Sequence, residues 1–192
     1  MKKTILAVLA LLAALTATAA ALQGEQQALA GKLVRLHVVA NSDSEQDQAL
    51  KLRVRDAVLE ASEGLEAEDL EAALPRLQAA AQACLREQGS GDPVTVSLGE
   101  ERFPTRLYDN FALPAGVYRS LRVTIGAGEG HNWWCVAFPS ICFRATAAEV
   151  QDAAVSAGFT EEEVRLITGD GGGYVLKFKA LELLERLKAW LF

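Results

Sequence analysis

Apolar and polar residues along this chain change period several times, and each change marks an element. An uncharged run from Thr4 to Gln23 follows Lys2 and Lys3, and small residues fill Ala17-Thr18-Ala19 and Ala19-Ala20-Ala21. Residues 1–21 therefore read as a signal peptide with an A-x-A-like cleavage site or, if retained, as a membrane anchor. Residues 22–31 form a polar, Gln- and Ala-rich lead-in. In Lys32 to Ala40 (KLVRLHVVA) the pattern turns to alternation with β-branched residues, which predicts a strand bearing Arg35 and His37 on one face. Asn41-Ser42-Asp43-Ser44 stops it. Ser42-x-x-Glu45 has the capping-box spacing for a helix over Glu45 to Ser62, whose inner stripe is Leu50, Val54, Ala57 and Val58.

Gly64 ends that helix. Glu66 to Ala73 reads as a short acidic helical piece, and Pro75 as the first turn of a further helix with Leu74, Leu77, Ala81, Cys84 and Leu85 inward. Beyond Gly89-Ser90-Gly91-Asp92-Pro93 the period is two again. Strands are predicted from Val94, over Glu100 to Tyr108, over Gly116 to Ile125 and over Trp133 to Phe138, with Leu113 to Gly116 turning between two of them. Glu149 to Ala157 is a small helix, Glu162 to Ile167 and Tyr174 to Lys179 a hairpin, and Ala180 to Phe192 a closing helix. The predicted fold is α+β: an antiparallel sheet with helices packed on one face, in two layers, as a single domain over 32–192.

Composition narrows what such a domain does. The 192 residues are 51% hydrophobic and 23% charged, ordinary for a globular chain. The net charge of -6 provides no basic footprint for nucleic acid. Removing Lys2 and Lys3 makes the body more acidic still, so anionic lipid is disfavoured apart from the tether that residues 1–22 offer. Export makes disulfides accessible, and three cysteines allow one intramolecular pair. Cys135 and Cys142 flank a turn at Pro139-Ser140. A bridge there contributes about 2–3 kcal/mol; the alternative is two reduced, buried thiols. Cys84 lies on a helical apolar face, as a small hydrophobe does.

No catalytic or cofactor site emerges from these residues. Two histidines and no C-x-x-C spacing make no zinc site, so no metal and no cofactor is expected. Asp43, Glu45 and Asp47 sit where the helix dipole favours acids. Gly126-Ala127-Gly128-Glu129-Gly130 departs from the dinucleotide fingerprint, because His131 takes the place of the third glycine. A thiol hydrolase would need a free Cys135 activated by His37 or His131. Recognition chemistry remains, in two patches. Arg35, Asn41, Asp43, Asp47, Gln48, Lys51 and Arg55 cluster about the first strand–helix junction, where solvation and capping also account for them. Asn132, Trp133 and Trp134 form the second patch, and neighbouring strand residues face opposite ways, so one indole at most enters a one-sided core.

Three separated motifs occur in order: RLHVVANSDSEQDQALKLRVRDAV (Arg35 to Val58), LPAGVY (Leu113 to Tyr118) and GAGEGHNWWCVAFPSICF (Gly126 to Phe143), with FPTRLY at Phe103 to Tyr108. In these the chain resembles the stage II sporulation protein R family over a core of residues 35–143. The resemblance is loose over 144–192. It implies a signalling protein and not an enzyme, exported from the forespore into the space between forespore and mother cell. The implied partner is a membrane-embedded aspartic peptidase that processes the sigma-E precursor. Two other readings stay open, an envelope module binding peptidoglycan or sugar through its tryptophans and the thiol hydrolase above.

Overall fold

The computed structural model describes residues 2–141, 146–169 and 178–183. Its elements are α1 (Lys2–Gly31), β1 (Val34–Val39), α2 (Glu45–Ala61), α3 (Leu70–Glu87), β2 (Val94–Phe103), β3 (Arg106–Leu107), β4 (Ala112–Leu113), β5 (Gly116–Ile125), β6 (Asn132–Phe138), α4 (Ala147–Ser156) and α5 (Glu161–Thr168). The class is α+β, as the periodicity predicts. The chain divides into two compact units, one of Leu33–Glu101 with Tyr118–Arg144, the other of Met1–Lys32, Arg102–Val117 and Ala145–Phe192.

The first unit is built on a four-stranded sheet in the order β2-β5-β1-β6. β1 runs parallel to β5, with Leu36 opposite Leu121, and antiparallel to β6, with Leu36 opposite Cys135. The sheet is therefore mixed, which corrects the expected antiparallel one. Period-two alternation fixes which residues share a face but not strand direction, and the two helices between β1 and β5 supply the long crossover a parallel pair needs. All six residues of β1 are buried, so it is covered on both faces. Leu36, Val38, Leu121 and Val123 pack with Val54 and Val58 of α2 and Leu77 and Leu85 of α3 in one apolar core.

Two helix starts differ from expectation. α3 begins at Leu70 and carries Pro75 in its interior, so no separate helix opens at Pro75. Leu70, Ala73 and Leu77, three and four apart, are all buried, and that stripe outweighs the hydrogen bond which Pro75 cannot donate. In α2 the cap is Ser44, whose hydroxyl accepts from the Asp47 amide. Ser42 instead donates to the Asp47 carboxylate at 2.6 Å.

In the second unit α1 is a single helix through both the leader and the lead-in. Ile5, Leu6 and Leu9 are exposed, whereas Gln26, Leu29 and Ala30 are buried. Gly116 passes so close to α1 that a Cβ there would overlap the Gln26 amide. β3 and β4 form a short antiparallel ladder. The hairpin expected over Glu162 to Ile167 is not present: α5 is a helix, opened by a capping box of Thr160 and Glu163 and closed by Gly169 at φ 84°. Val164 and Ile167 are buried at a helical spacing of three. Of the predicted partner strand, Phe178 and Lys179 are helical and 174–177 lie outside the described residues, as does most of the closing helix.

Lys32 clasps this unit. Its ammonium donates to Glu163 at 2.6 Å and to the Gly158 carbonyl at 3.0 Å, over the Phe159 ring. Burial pushes the Glu163 carboxyl up, but the Lys32 hydrogen bond and the Thr160 amide outweigh it and hold the group below its usual 4.5. A lowered carboxylate pKa stabilises the fold above the unfolded value, and that stability is lost as pH falls through the folded value. The acid limb of the melting temperature, read by circular dichroism below pH 4.5, is accordingly expected to flatten in Glu163→Gln. An unchanged limb would show that the clasp adds no stability.

Candidate functional site

The connection from β5 to β6 explains the glycine-rich motif. β1 lies between these two strands, so Gly126 to His131 must cross over its C-terminal end to reach β6. Backbone bonds tie the crossing down: Gly130 donates to the Ala40 carbonyl at 3.0 Å and Glu129 to that of Asn41 at 3.2 Å. Gly126 and Gly128 have φ of 55° and 66°. At Gly130 the requirement is space, since a Cβ would overlap the Ser42 carbonyl.

Around this crossing the side chains lock together. Asn41 accepts from the Ala127 amide at 2.9 Å and donates to Asp47 at 3.0 Å. Hydrogen bonds from Ser42 and then Asn41 hold the Asp47 carboxyl below its usual range. Asp43 accepts from the His131 amide at 2.6 Å and pairs with the His131 ring, and these bonds lower its pKa as well. Lys51 is buried, donating to Gln48 at 2.6 Å and to the His131 carbonyl at 2.9 Å, and burial pushes its pKa down. Gln48 also donates to the Ser42 carbonyl at 2.9 Å. One turn further along α2, the Arg55 guanidinium lies 4.4 Å from the centre of the Trp133 ring. Residues of the first predicted patch thus meet the second, and the two form one surface.

Arg35 stands apart. It is 0% exposed, donating to the Cys135 carbonyl at 3.1 Å with its guanidinium over the Tyr118 ring. It builds the sheet and presents no surface. On the same face runs a network that sequence reasoning missed. His37 is buried, with Nδ1 2.8 Å from Glu101 and Nε2 2.9 Å from the Asn132 side-chain oxygen. Ser120 and Arg122 donate to the same Glu101 carboxylate, each at 2.9 Å. Trp134 lies tilted against the His37 ring, centroids 5.5 Å apart. The available signal was a histidine alternating with Arg35 in an otherwise apolar strand. Its partner Glu101 is 64 residues away, beyond any local pattern.

Cys135 is disulfide-bonded and Cys84 is a free thiol. Cys142 lies outside the described residues. A bridged Cys135 is no nucleophile, which removes the observation a thiol hydrolase needs.

Fold and surface define an α+β protein with a hydrogen-bonded polar junction at one end of a mixed sheet. The family model described as Stage II sporulation protein R matches residues 30–148, and the chain belongs to that family. Among its relatives is the Stage II sporulation protein R of Bacillus subtilis (strain 168), 37% identical over 123 residues. That alignment covers 57% of this chain and 53% of the relative, so the match spans about half the length of the curated relative. No solved structure matches. The role is one in sporulation, and the family's name is not that of an enzyme.

Proposed function

We propose that the chain is an intercompartmental signal, exported into the space between forespore and mother cell, where it activates the membrane-embedded aspartic peptidase that processes the sigma-E precursor. The observation that carries this reading is the family match, which takes in the whole junction from Asn41 to Arg55 and from Gly126 to Trp134. The apolar first part of α1 supports export. The junction itself supports recognition: its polar groups are spent on one another, which fixes a relief of Asp43, His131, Asn132 and the Arg55–Trp133 stack. An aromatic stacked with an arginine beside such a surface is a common form of interface anchor.

The test is reconstitution of the full chain with the peptidase and the sigma-E precursor, following precursor cleavage. Cleavage is expected to depend on the chain and to survive Cys135→Ser. Arg55→Glu, which removes the stack and reverses its charge, is expected to reduce activation about tenfold, equivalent to roughly 1.4 kcal/mol of binding. No cleavage with folded, exported chain would overturn the reading.

A further inference from the structure

The polar network on the sheet face ends at the recognition surface. Asn132 is exposed, yet its side chain turns back onto buried His37, with Oδ1 2.9 Å from Nε2. The other ring nitrogen, Nδ1, lies 2.8 Å from Glu101 Oε1. Arg122 donates to that same oxygen and Ser120 to Oε2, both from β5. Glu101 therefore acts as an acceptor throughout, which places a hydrogen on Nδ1. Nε2 is the ring position left to gain or lose one.

A single proton then decides how Asn132 is turned. A protonated Nε2 donates, so it holds the carbonyl end of the amide and leaves the NH2 end outward. A bare Nε2 accepts, so it holds the NH2 end and leaves the carbonyl outward. The two ends have nearly the same shape, and half a turn of the amide exchanges them. The structure has the first arrangement. The charges around the ring suit it. Glu101 of β2 touches the ring, and an anion there favours the ring with both nitrogens protonated. Arg122 of β5 is paired with that carboxylate, and Arg35, two residues along β1, is engaged by the Cys135 carbonyl and the Tyr118 ring. From β6 the ring meets Asn132 and Trp134, which carry no charge.

We infer that His37 sets the hydrogen-bonding sense of Asn132 in the contact surface. With Nε2 protonated, Asn132 presents its NH2 to a carbonyl or carboxylate oxygen of the partner. Loss of that proton turns the amide over and sets oxygen against oxygen. His37 is thus a positioning residue, acting through Asn132. The inference rests on the activator reading, so the oxygen belongs to the outward-facing part of the peptidase.

The experiment measures binding of the full chain to the peptidase from about pH 5 to 8, the span in which histidine changes charge. The unaltered chain, Asn132→Ala and Asn132→Asp are compared. Dividing each affinity by that of Asn132→Ala at the same pH removes the titration of the peptidase and of His131, which all three chains keep. For the unaltered chain this ratio is expected to be about tenfold or more at the acid end, the worth of one matched hydrogen bond over a mismatched one. It is expected to fall to one or below at the alkaline end. Asn132→Asp offers only oxygens, so its ratio should stay at or below one throughout. In the free chain, the Asn132 side-chain amide signals by NMR are expected to move with pH, and to stay still in His37→Gln. Should His37→Gln fail to fold by circular dichroism, the two variants at exposed Asn132 decide. A flat ratio for the unaltered chain overturns the inference, as does an Asn132→Asp ratio that matches it or an Asn132 amide that ignores pH. If the unaltered chain does not bind the peptidase, the activator reading fails and the partner oxygen with it, while the amide signals still decide the turning of Asn132.

Discussion

Gly130→Ala is expected to destabilise the first unit by about 3 kcal/mol, at the upper end for inserting one methyl group into packed structure. The added Cβ would overlap the backbone carbonyl of Ser42, and its next neighbours are the Ser42 carbonyl carbon and Ala40. The Ser42 backbone and the Ala40 methyl, which has no rotatable bond of its own to move it aside, leave no flexible side chain to give way. Relief requires lifting the crossing off β1, which breaks the Gly130 and Glu129 backbone bonds and separates His131 from Asp43 and Lys51. Gly91→Ala is the control, with nothing within 4 Å of its Cβ, and should change stability by less than about 0.5 kcal/mol. Urea unfolding followed by tryptophan fluorescence reads both. Similar values for the two would mean that the loop does not press on β1 as described.

The second large effect concerns Glu101. Replacing it with alanine leaves two buried donors, the His37 ring and the Ser120 hydroxyl, without their acceptor, and is expected to cost about 2–3 kcal/mol. Arg122 adds little because it is half exposed and screened by solvent. Coupling is the sharper measure. A double-mutant cycle of Glu101→Gln with Ser120→Ala is expected to give an interaction of about 1 kcal/mol. Additive effects would show that the carboxylate does not hold the two strands as one network. Asn132 reaches the same imidazole from β6, so the network runs through all four strands of the sheet.

Which of these features can be read from the chain depends on how local their causes are. β1 and α2 are legible because alternation, a polar stop and a helical stripe follow one another within thirty residues. The cap of α2 shifted from Ser42 to Ser44 because Asn41-Ser42-Asp43-Ser44 offers four capping side chains, and only the packing of the glycine loop decides among them. α5 was legible but misread: Thr160-x-x-Glu163 and Gly169 are a start and a stop, whereas the β-branched Val164 and Ile167 drew the strand reading. The parallel pairing of β1 with β5 was not legible, since period two is the same in either direction. The junction was legible as two patches, but their union depends on β6 returning on the far side of β1. Arg35 reads as part of a recognition patch because its charge outweighs its position, whereas His37 is placed only on the same strand face. They lie in a strand covered on both faces, and their partners come from other strands.

The unbroken course of α1 has a consequence for how the chain is held. The ten residues from Leu22 to Gly31 continue the helix into the buried Gln26, Leu29 and Ala30, and Lys32 pins its end. They are a rod and not a slack linker. At about 1.5 Å per residue the rod sets a standoff of roughly 15 Å from Ala21 to Gly31. A chain still fixed in a bilayer by its first twenty-one residues would hold the second unit at a set height and a set rotation. A chain cut after Ala21 would lose both constraints at once while keeping every buried contact of the rod.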